Sequence, residues 1–328
     1  MNGTVIDGTN NTFTVECDDE IIRACTIKGK VIKTEKEFYN PLAPGDNVVI
    51  EIDSINNEKG QIIALLPRKN TFVRWNTKGR CPQLLASNVD NLILVTTPDE
   101  PPFRPRFTDR ALAQAEHQGI EPIIVCNKYD LAESMQTDGR IEEFEKIERR
   151  LTIWEDLGYK VLRMSAKTGE GMAQFAHILE NKLCAFVGQS GVGKSSLINV
   201  MDNTCVLKTG SLSKKYGRGN HTTTKGSLVH LTLNESLMEG IKGCKANIID
   251  TPGIRLFVLD DIEAQDLALY FKEFLPFVGK CNFGMSCSHI AEHGCRIKEA
   301  VANGEITEER YDSWQRIYLG IKNGTNED

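Results

Sequence analysis

The sequence predicts an α/β chain: a mainly parallel sheet with crossover helices, preceded by a small all-β barrel and followed by a helical module built around a metal site. Three observations carry this. Short apolar runs alternate with helical patterns between about residues 90 and 270. Short β-rich segments separated by turn residues fill the first 72 positions. Beyond residue 271 strands run out and a group of Cys and His residues appears.

Within the first region, Thr12–Val15, Ile21–Ile27 and Val48–Ile52 read as strands, with Asp7-Gly8, Asn10-Asn11 and Pro44-Gly45-Asp46 between them. An OB-fold is one barrel of this size, and pattern alone does not separate it from an SH3-like barrel. In the central region Leu92–Val95, Ile123–Cys126, Val161–Met164, Ala185–Val187 and Asn247–Ile249 read as buried strands. Ile141, Phe144, Ile147, Leu151, Trp154 and Leu157 recur at helical spacing, and Met172 to Leu183 reads as another helix. Pro98-Asp99-Glu100-Pro101-Pro102 is a loop before a helix starting near Thr108. Helices are expected near Arg296–Ala302 and Thr307–Lys322. The expected division is 1–72, 73–270 and 271–328.

The chain has 328 residues, too many for one small domain. Its net charge of −6 does not mark the whole chain as a nucleic-acid binder, so such a partner would have to be met by a local basic patch. No apolar run reaches the length of a membrane span, and Met1 to Asn10 lack an apolar leader core. A cytoplasmic chain with no membrane partner is expected. Of the ten cysteines, Cys17, Cys25, Cys81, Cys126, Cys184, Cys205 and Cys244 are scattered singly and read as buried reduced thiols.

Gly188-Gln189-Ser190-Gly191-Val192-Gly193-Lys194-Ser195 matches G-x-x-x-x-G-K-S, after a predicted strand and opening a predicted helix. Glycines let backbone N–H groups approach phosphates, and the helix N-terminus adds partial positive charge. Lys194 would reach the β- and γ-phosphates, and Ser195 would offer its hydroxyl to Mg²⁺. Asn127-Lys128-Tyr129-Asp130 follows the strand Ile123–Cys126. A carboxylate there accepts from guanine N1–H and the 2-amino group, for which adenine has no equivalent donors. Asn127 would bind the base edge or tie loops together, and Lys128 would lie along the base. Ser165-Ala166-Lys167, after the next strand, suits a loop whose backbone meets the guanine oxygen.

Asp250-Thr251-Pro252-Gly253 follows a strand: Asp250 would hold Mg²⁺ through water, and the Gly253 N–H would sense the γ-phosphate. His221-Thr222-Thr223-Thr224 lies where a switch loop belongs, with Thr223 favoured among the threonines to complete the Mg²⁺ shell. Many GTPases place a water-orienting Gln after this second box. Here it is Ile254, which leaves His221 as the nearest candidate; a mobile surface histidine is the alternative.

All the parts of a P-loop GTPase are present in a rotated order: the guanine box at 127 and Ser-Ala-Lys at 165 precede the P-loop at 188. Joining old termini and opening new ones preserves the sheet, since termini usually lie close together. The fold class is therefore a circularly permuted P-loop GTPase domain with an OB-like barrel before it and a zinc-binding helical module after it. Whatever follows the second switch is mechanically attached to the γ-phosphate sensor. Cys281, Cys287, His289 and Cys295 form a closed Cys₃His set suited to one structural Zn²⁺, with His293 as a second candidate ligand. His117, His177 and His230 read as ordinary helix or strand residues. Arg68, Lys69, Arg74, Lys78 and Arg80, with Phe72 and Trp75 interleaved, and Lys208, Lys214, Lys215 and Arg218 read as RNA-facing patches or as solvated linkers.

The order of barrel, permuted GTPase and zinc module resembles the ribosome small-subunit-dependent GTPase A family (RsgA, also called YjeQ or EngC). The match spans nearly the whole chain and is carried by Gly188 through Ser195 and Ser196, His221–Thr224, Asp250–Gly253, Cys281 to Cys295 and Pro67-Arg68-Lys69-Asn70. The resemblance implies an OB-fold, hydrolysis of GTP to GDP stimulated by the small ribosomal subunit, a role in late maturation of that subunit, and rRNA contact through barrel and zinc module. A monomer is expected. Two departures stand out: the first two zinc cysteines are one residue further apart than the usual pattern, and Asn220 replaces a common Arg. An RNA-binding module that only senses nucleotide, and a large-subunit assembly GTPase, are the competing classes. The guanine box, and the lack of a small-molecule domain, disfavour a metabolic kinase.

Overall fold

The computed structural model describes residues 1–9, 11–29, 32, 38–204, 226–254 and 257–325. Five strands close a barrel: β1 (Asn2–Thr9), β2 (Thr12–Cys17), β3 (Ile22–Ile27), β4 (Asn47–Ile52) and β5 (Lys59–Leu65), in the order β1-β2-β3-β5-β4. The parallel β3–β5 pair decides for the OB arrangement, because a barrel of consecutive hairpins has no parallel pair. Alternate side chains, among them Val5, Phe13, Val15, Cys25, Ile50 and Ile62, fill its interior.

The sequence pattern misses β1 and β5. Asp7-Gly8, expected to separate strands, lies within β1, beside a bulge at Val5/Asp7. Gly8 is needed there because a Cβ would come within 2.3 Å of the Phe13 ring.

A hairpin of β6 (Thr71–Asn76) and β7 (Cys81–Ser87) follows, and then a six-stranded sheet. Its strands are β8 (Asn91–Thr96), β9 (Glu121–Cys126), β10 (Lys160–Arg163), β11 (Leu183–Gly188), β12 (Ser227–Thr232) and β13 (Lys245–Asp250), in the order β10-β9-β8-β11-β13-β12. Only β12 runs antiparallel. The five sequence-predicted strands are the five parallel ones; β8, β9, β11 and β13 are largely buried on both faces, as their apolar runs require, whereas the edge strand β10 buries only Leu162.

Helices α1 (Pro105–His117), α2 (Tyr129–Thr137) and α3 (Ile141–Asp156) cover one face, and α4 (Met172–Leu179) and α5 (Lys194–Met201) the other. The helix expected over Met172 to Leu183 stops at Leu179, because Leu183 already begins the buried strand β11. The barrel meets the sheet edge at β12, where His230 Nε2 lies 2.8 Å from Glu16 Oε2 and Nδ1 lies 2.7 Å from Asn247 Oδ1.

The C-terminal module carries α6 (Arg296–Ala302) and α7 (Glu308–Asn323), with Phe271, Phe274, Trp314 and Ile317 in its core together with Ala113 of α1. Its seat on the sheet domain centres on Asp109 of α1, which is fully buried. The carboxylate accepts from Arg150 and from Trp154 Nε1 (2.9 Å) on α3, and from Arg310 and Ser313 on α7. Burial alone would push its pKa up. The charges of Arg150 and Arg310, with the Ser313 and Trp154 hydrogen bonds, outweigh burial and hold it below the ordinary value. Arg310 also pairs with Glu273 (2.6 Å).

Breaking such a pair from one side leaves buried charges uncompensated. Asp109→Ala is therefore expected to lose about 3–5 kcal/mol in urea denaturation. Arg316→Ala, which removes an exposed i,i+4 pair with Asp312, should change stability by less than about 0.5 kcal/mol. Equal effects of the two would refute this account of the seat.

Candidate nucleotide site and metal centre

The sequence motifs converge at the C-terminal ends of the parallel strands, where open α/β sheets bind ligands. Asn127 follows β9, Ser165 follows β10, Gly188 ends β11 and Asp250 ends β13. The P-loop bends from β11 into α5 with Gly191 and Gly193 at φ +90° and +92°. A Cβ on Gly188 would meet the Val95 carbonyl at 2.4 Å, and one on Gly193 would meet Asn127 Nδ2 at 2.3 Å. Glycine is therefore required by contact as well as by dihedral angle.

Lys194 is buried and its Nζ donates to Gly188 O (2.9 Å) and Gln189 O (3.3 Å). Burial lowers its pKa, with the Asp250 charge acting in the opposite direction. Asp250 is pushed up to about 7 by burial, against the pull of Lys194. Its Oδ1 and the Gln189 Nε2 are buried with no hydrogen-bond partner among the described residues. A cradle with an unmatched carboxylate, an unmatched amide and a buried ammonium suits an anion accompanied by a hard cation. Ser195 and Ser196 lie in the first turn of α5 behind this cradle.

The second box is tied to the P-loop. Thr251 Oγ1 donates to Phe186 O (2.6 Å), and a Cβ on Gly253 would come within 2.8 Å of Ser190 Cα. Ile254 donates its N–H to Gly188 O (3.2 Å), while its side chain, 2 % exposed, joins the core beside Phe257. It cannot reach an attacking water. His221, Thr222, Thr223, Thr224, Lys208, Lys214, Lys215, Arg218 and Cys205 lie outside the described residues.

Of the two roles open to Asn127, the geometry gives the tie: Nδ2 donates to Val192 O (2.8 Å) and Oδ1 accepts from Ala166 N–H (3.1 Å). One buried carboxamide thus joins the P-loop to the Ser-Ala-Lys loop. Ser165 Oγ donates to Asp130 Oδ1 (2.7 Å) and accepts from the N–H groups of Lys167 and Thr168 (both 3.2 Å). Lys167 Nζ lies 3.4 Å from Asp130 Oδ2. Tyr129 turns its hydroxyl to Glu148 on α3 (2.7 Å), and burial raises its pKa. Lys128, at φ +59°, donates to the Glu100 carbonyl.

Sequence reasoning passed over that last contact. The Pro-rich loop after β8 holds Lys128, approaches Gly191 through Pro101, and is anchored by Asp99 to Arg140 (2.8 Å). Its only sequence signal was its proline content.

The basic run near residue 70 is partly paired and partly open: Arg68 and Arg74 are half-buried, whereas Lys69 is exposed. Arg68 forms a two-pronged pair with buried Asp46 (2.7 Å each), Lys69 pairs with Asp90 (2.9 Å), and Arg74 contacts Gln83. Phe72 is buried against Phe257. Lys78 and Arg80 remain exposed.

Cys281, Cys287, His289 and Cys295 are buried, with ligand atoms within 4.8 Å of one another. His293 is not in this cluster. Cys281 Sγ and Cys295 Sγ are 3.9 Å apart, and each lies 3.5 Å from His289 Nδ1. Tetrahedral zinc with bonds of about 2.3 Å to sulfur and about 2.0 Å to nitrogen needs S···S near 3.8 Å and S···N near 3.5 Å. The donor set fits. Tyr311 OH donates to His289 O (2.7 Å), and Arg296 N–H to Cys281 Sγ (3.3 Å). Of the singly placed cysteines, Cys17, Cys25, Cys126, Cys184 and Cys244 are buried free thiols, whereas Cys81 is half-buried.

Comparison with known proteins decides the family. The RsgA GTPase family model matches residues 65–260.

The chain belongs to the RsgA GTPase family.

It is a GTPase of circularly permuted fold. It is 39 % identical over 323 residues to a small ribosomal subunit biogenesis GTPase RsgA of Borreliella burgdorferi, covering 98 % of this chain and 97 % of the relative. An RsgA of Flavobacterium psychrophilum is 34 % identical, with 98 % and 93 % covered. The crystal structure of YjeQ from Thermotoga maritima superposes with a TM-score of 0.69 at 30 % identity, covering 98 % of each chain. That of YloQ, a circularly permuted GTPase, gives 0.64 at 25 %, covering 100 % of this chain and 96 % of YloQ.

Two measurements test the assignments. Asp130→Asn should weaken GTP binding by roughly tenfold or more and relax discrimination against xanthine nucleotide, since one charge-assisted pair to the base is lost. Wild-type protein that binds ATP as tightly as GTP in competition would refute the guanine box. Purified protein should carry one zinc per chain. Chelation should shift the emission of Trp314, whose ring lies 5.9 Å from His289, while GTP binding persists. Metal-free protein with a native Trp314 spectrum would refute the metal centre.

Proposed function

We propose that the protein hydrolyses GTP to GDP and phosphate as a late maturation factor of the small ribosomal subunit, with the subunit as its activator. The observation that carries this is the convergence of Asn127, Asp130, Ser165, the P-loop, Asp250 and Gly253 on one edge of the sheet, in a family whose relatives are named for small-subunit biogenesis. In this reading Asn127 to Asp130, with Ser165 to Lys167, takes the guanine. Asp130 accepts from the base, oriented by Ser165, and Lys128 lies along it. Gly188 to Ser196 wraps the phosphates, with Lys194 on the β- and γ-groups. Ser195, Thr223 and Asp250 would hold Mg²⁺, which neutralises charge on the phosphate oxygens. Gly253 senses the γ-phosphate.

Hydrolysis needs a water held in line. The Ile254 side chain is packed in the core and offers no hydrogen bond, so intrinsic turnover should be slow. His221 supplies the missing group once the subunit orders the first switch. The Cys₃His set would hold one structural Zn²⁺ and give the C-terminal module its fold. The chain divides at about residues 72 and 270, acts as a monomer in the cytoplasm, and meets rRNA through barrel and zinc module. No described helix is long and apolar enough to cross a membrane.

GTP hydrolysis measured with isolated small subunits, large subunits and neither should rise only with small subunits. Stimulation by large subunits alone would replace this reading with large-subunit assembly, and no turnover under any condition with a nucleotide-sensing RNA-binding module. His221→Ala should lower stimulated kcat by roughly 10²-fold and leave KM nearly unchanged, because the lost interaction exists only in the transition state. Lys194→Ala should damage binding as well. Wild-type stimulated turnover in His221→Ala would show that another residue orients the water.

A further inference from the structure

Beyond Gly253, the described residues Ile254, Phe257, Val258, Asp260 and Ile262 are buried, forming a strap between the nucleotide edge and the C-terminal module. Its backbone is pinned from two sides. Trp75 N–H of β6 donates to Val258 O (3.0 Å). Gln114 of α1, with no exposed surface, pairs with both backbone groups of one residue: Oε1 accepts from Asp260 N–H (2.8 Å) and Nε2 donates to Asp260 O (3.1 Å). A side chain has taken the place of a strand neighbour.

The spacing on α1 separates two connections. Residues four apart share a helix face. Arg110 and Gln114 face the strap, whereas Asp109 and Ala113, one position earlier, face the C-terminal module. A cavity of about 180 Å³ is lined by Val258, Leu259 and Ile262 of the strap and by Ile317, Gly320 and Ile321 of α7. The strap meets α7 through apolar side chains, Leu259 and Ile262 sharing a core with Trp314 and Ile317, and meets α1 through directional hydrogen bonds, so it is α1 that fixes the position of its backbone behind Gly253. A leucine at 114 would fill the same space and remove both Gln114 hydrogen bonds to the Asp260 backbone.

We propose that Gln114 is a positioning residue of the GTPase cycle: it ties the strap behind Gly253 to α1, and α1 passes the position on to the C-terminal module through Asp109 and Arg310. This rests on the reading of Gly253 as γ-phosphate sensor. It adds the joint by which nucleotide state reaches the module.

Hydrogen exchange on the free, zinc-loaded full chain tests it, with GDP or a non-hydrolysable GTP analogue bound. In wild type, α7 amides should exchange at rates differing at least threefold between the two states. In Gln114→Leu that difference should vanish and Asp260 N–H exchange should speed up tenfold or more. Zinc content, GTP KM and intrinsic kcat should stay at wild-type values, while stimulated kcat falls about tenfold. Gln114→Glu, which keeps the acceptor for Asp260 N–H and loses the donor, should retain part of the α7 difference, and it serves as the readout if the leucine variant does not fold. A Gln114→Leu protein with the wild-type nucleotide difference in α7, or wild type with no difference, overturns the proposal. Because the exchange is read without ribosomes, failure of subunit stimulation in wild type would count against the proposed function and leave this result standing.

Discussion

The placement of the C-terminal module depends on one desolvated carboxylate. Asp109 has no exposed surface, yet it is held ionised by two guanidinium groups, an indole N–H and a hydroxyl drawn from α3 and α7. A carboxylate taken out of water is tolerated only with such a complete set of partners. Two of those partners, Arg310 and Ser313, lie on the module, so small displacements of α7 would strip them away. The interaction is therefore better at fixing an angle than at adding net stability, as buried ion pairs generally are. Circular permutation makes that angle matter. In an unpermuted chain the segment after the second switch would continue into the guanine-binding half of the sheet. Here it runs straight into the module whose seat Asp109 defines.

A carboxamide, that of Asn127, ties the base-recognition loops to the P-loop. In this chain those loops precede the P-loop, the Ser-Ala-Lys loop by one helix and one strand, α4 and β11. Asn127 bridges Val192 O and Ala166 N–H across the sheet edge. The close approach that this requires explains why residue 193 has no side chain. Base and phosphate sites are thus held in register by hydrogen bonds, whatever the order in which the chain visits them.

The sequence made the parallel strands and the chemical motifs legible because both are local. A doubly buried strand must be an apolar run, and a phosphate loop must have its glycines at set intervals. What escaped was whatever depends on distant neighbours. β1 contains Gly3 and Gly8 because β2 lies against it, and a turn-like composition hid the strand. Arg68 looked like a free basic group until Asp46 was found beside it. Asp109 and Arg310 stand 201 positions apart, and Gln114 and Asp260 146 apart, so neither pairing leaves a pattern in any local window. The resemblance to the RsgA family added the OB-fold and the small-subunit role to what the motif order showed, but not these contacts.

The nucleotide edge, by contrast, holds functional groups left unmatched. Asp250 Oδ1 and Gln189 Nε2 are buried without hydrogen-bond partners among the described residues, and Lys194 is folded back onto carbonyls of its own loop. With its pKa raised from 3.8 to about 7, Asp250 binds a proton in the folded state at pH values where the unfolded chain has released it. Folding stability from this group is thus fully present below about pH 4, declines as pH rises, and is gone above about pH 7. At the pH where the protein works, the ionised carboxylate opposes folding until a cation or phosphate-bound partner meets it. Ligand that binds only the folded state offsets that opposition by mass action. The same unmatched groups that weaken the empty cradle are the ones that make its ligand bind, and the apolar cores on either side of the sheet carry the stability that the cradle itself lacks.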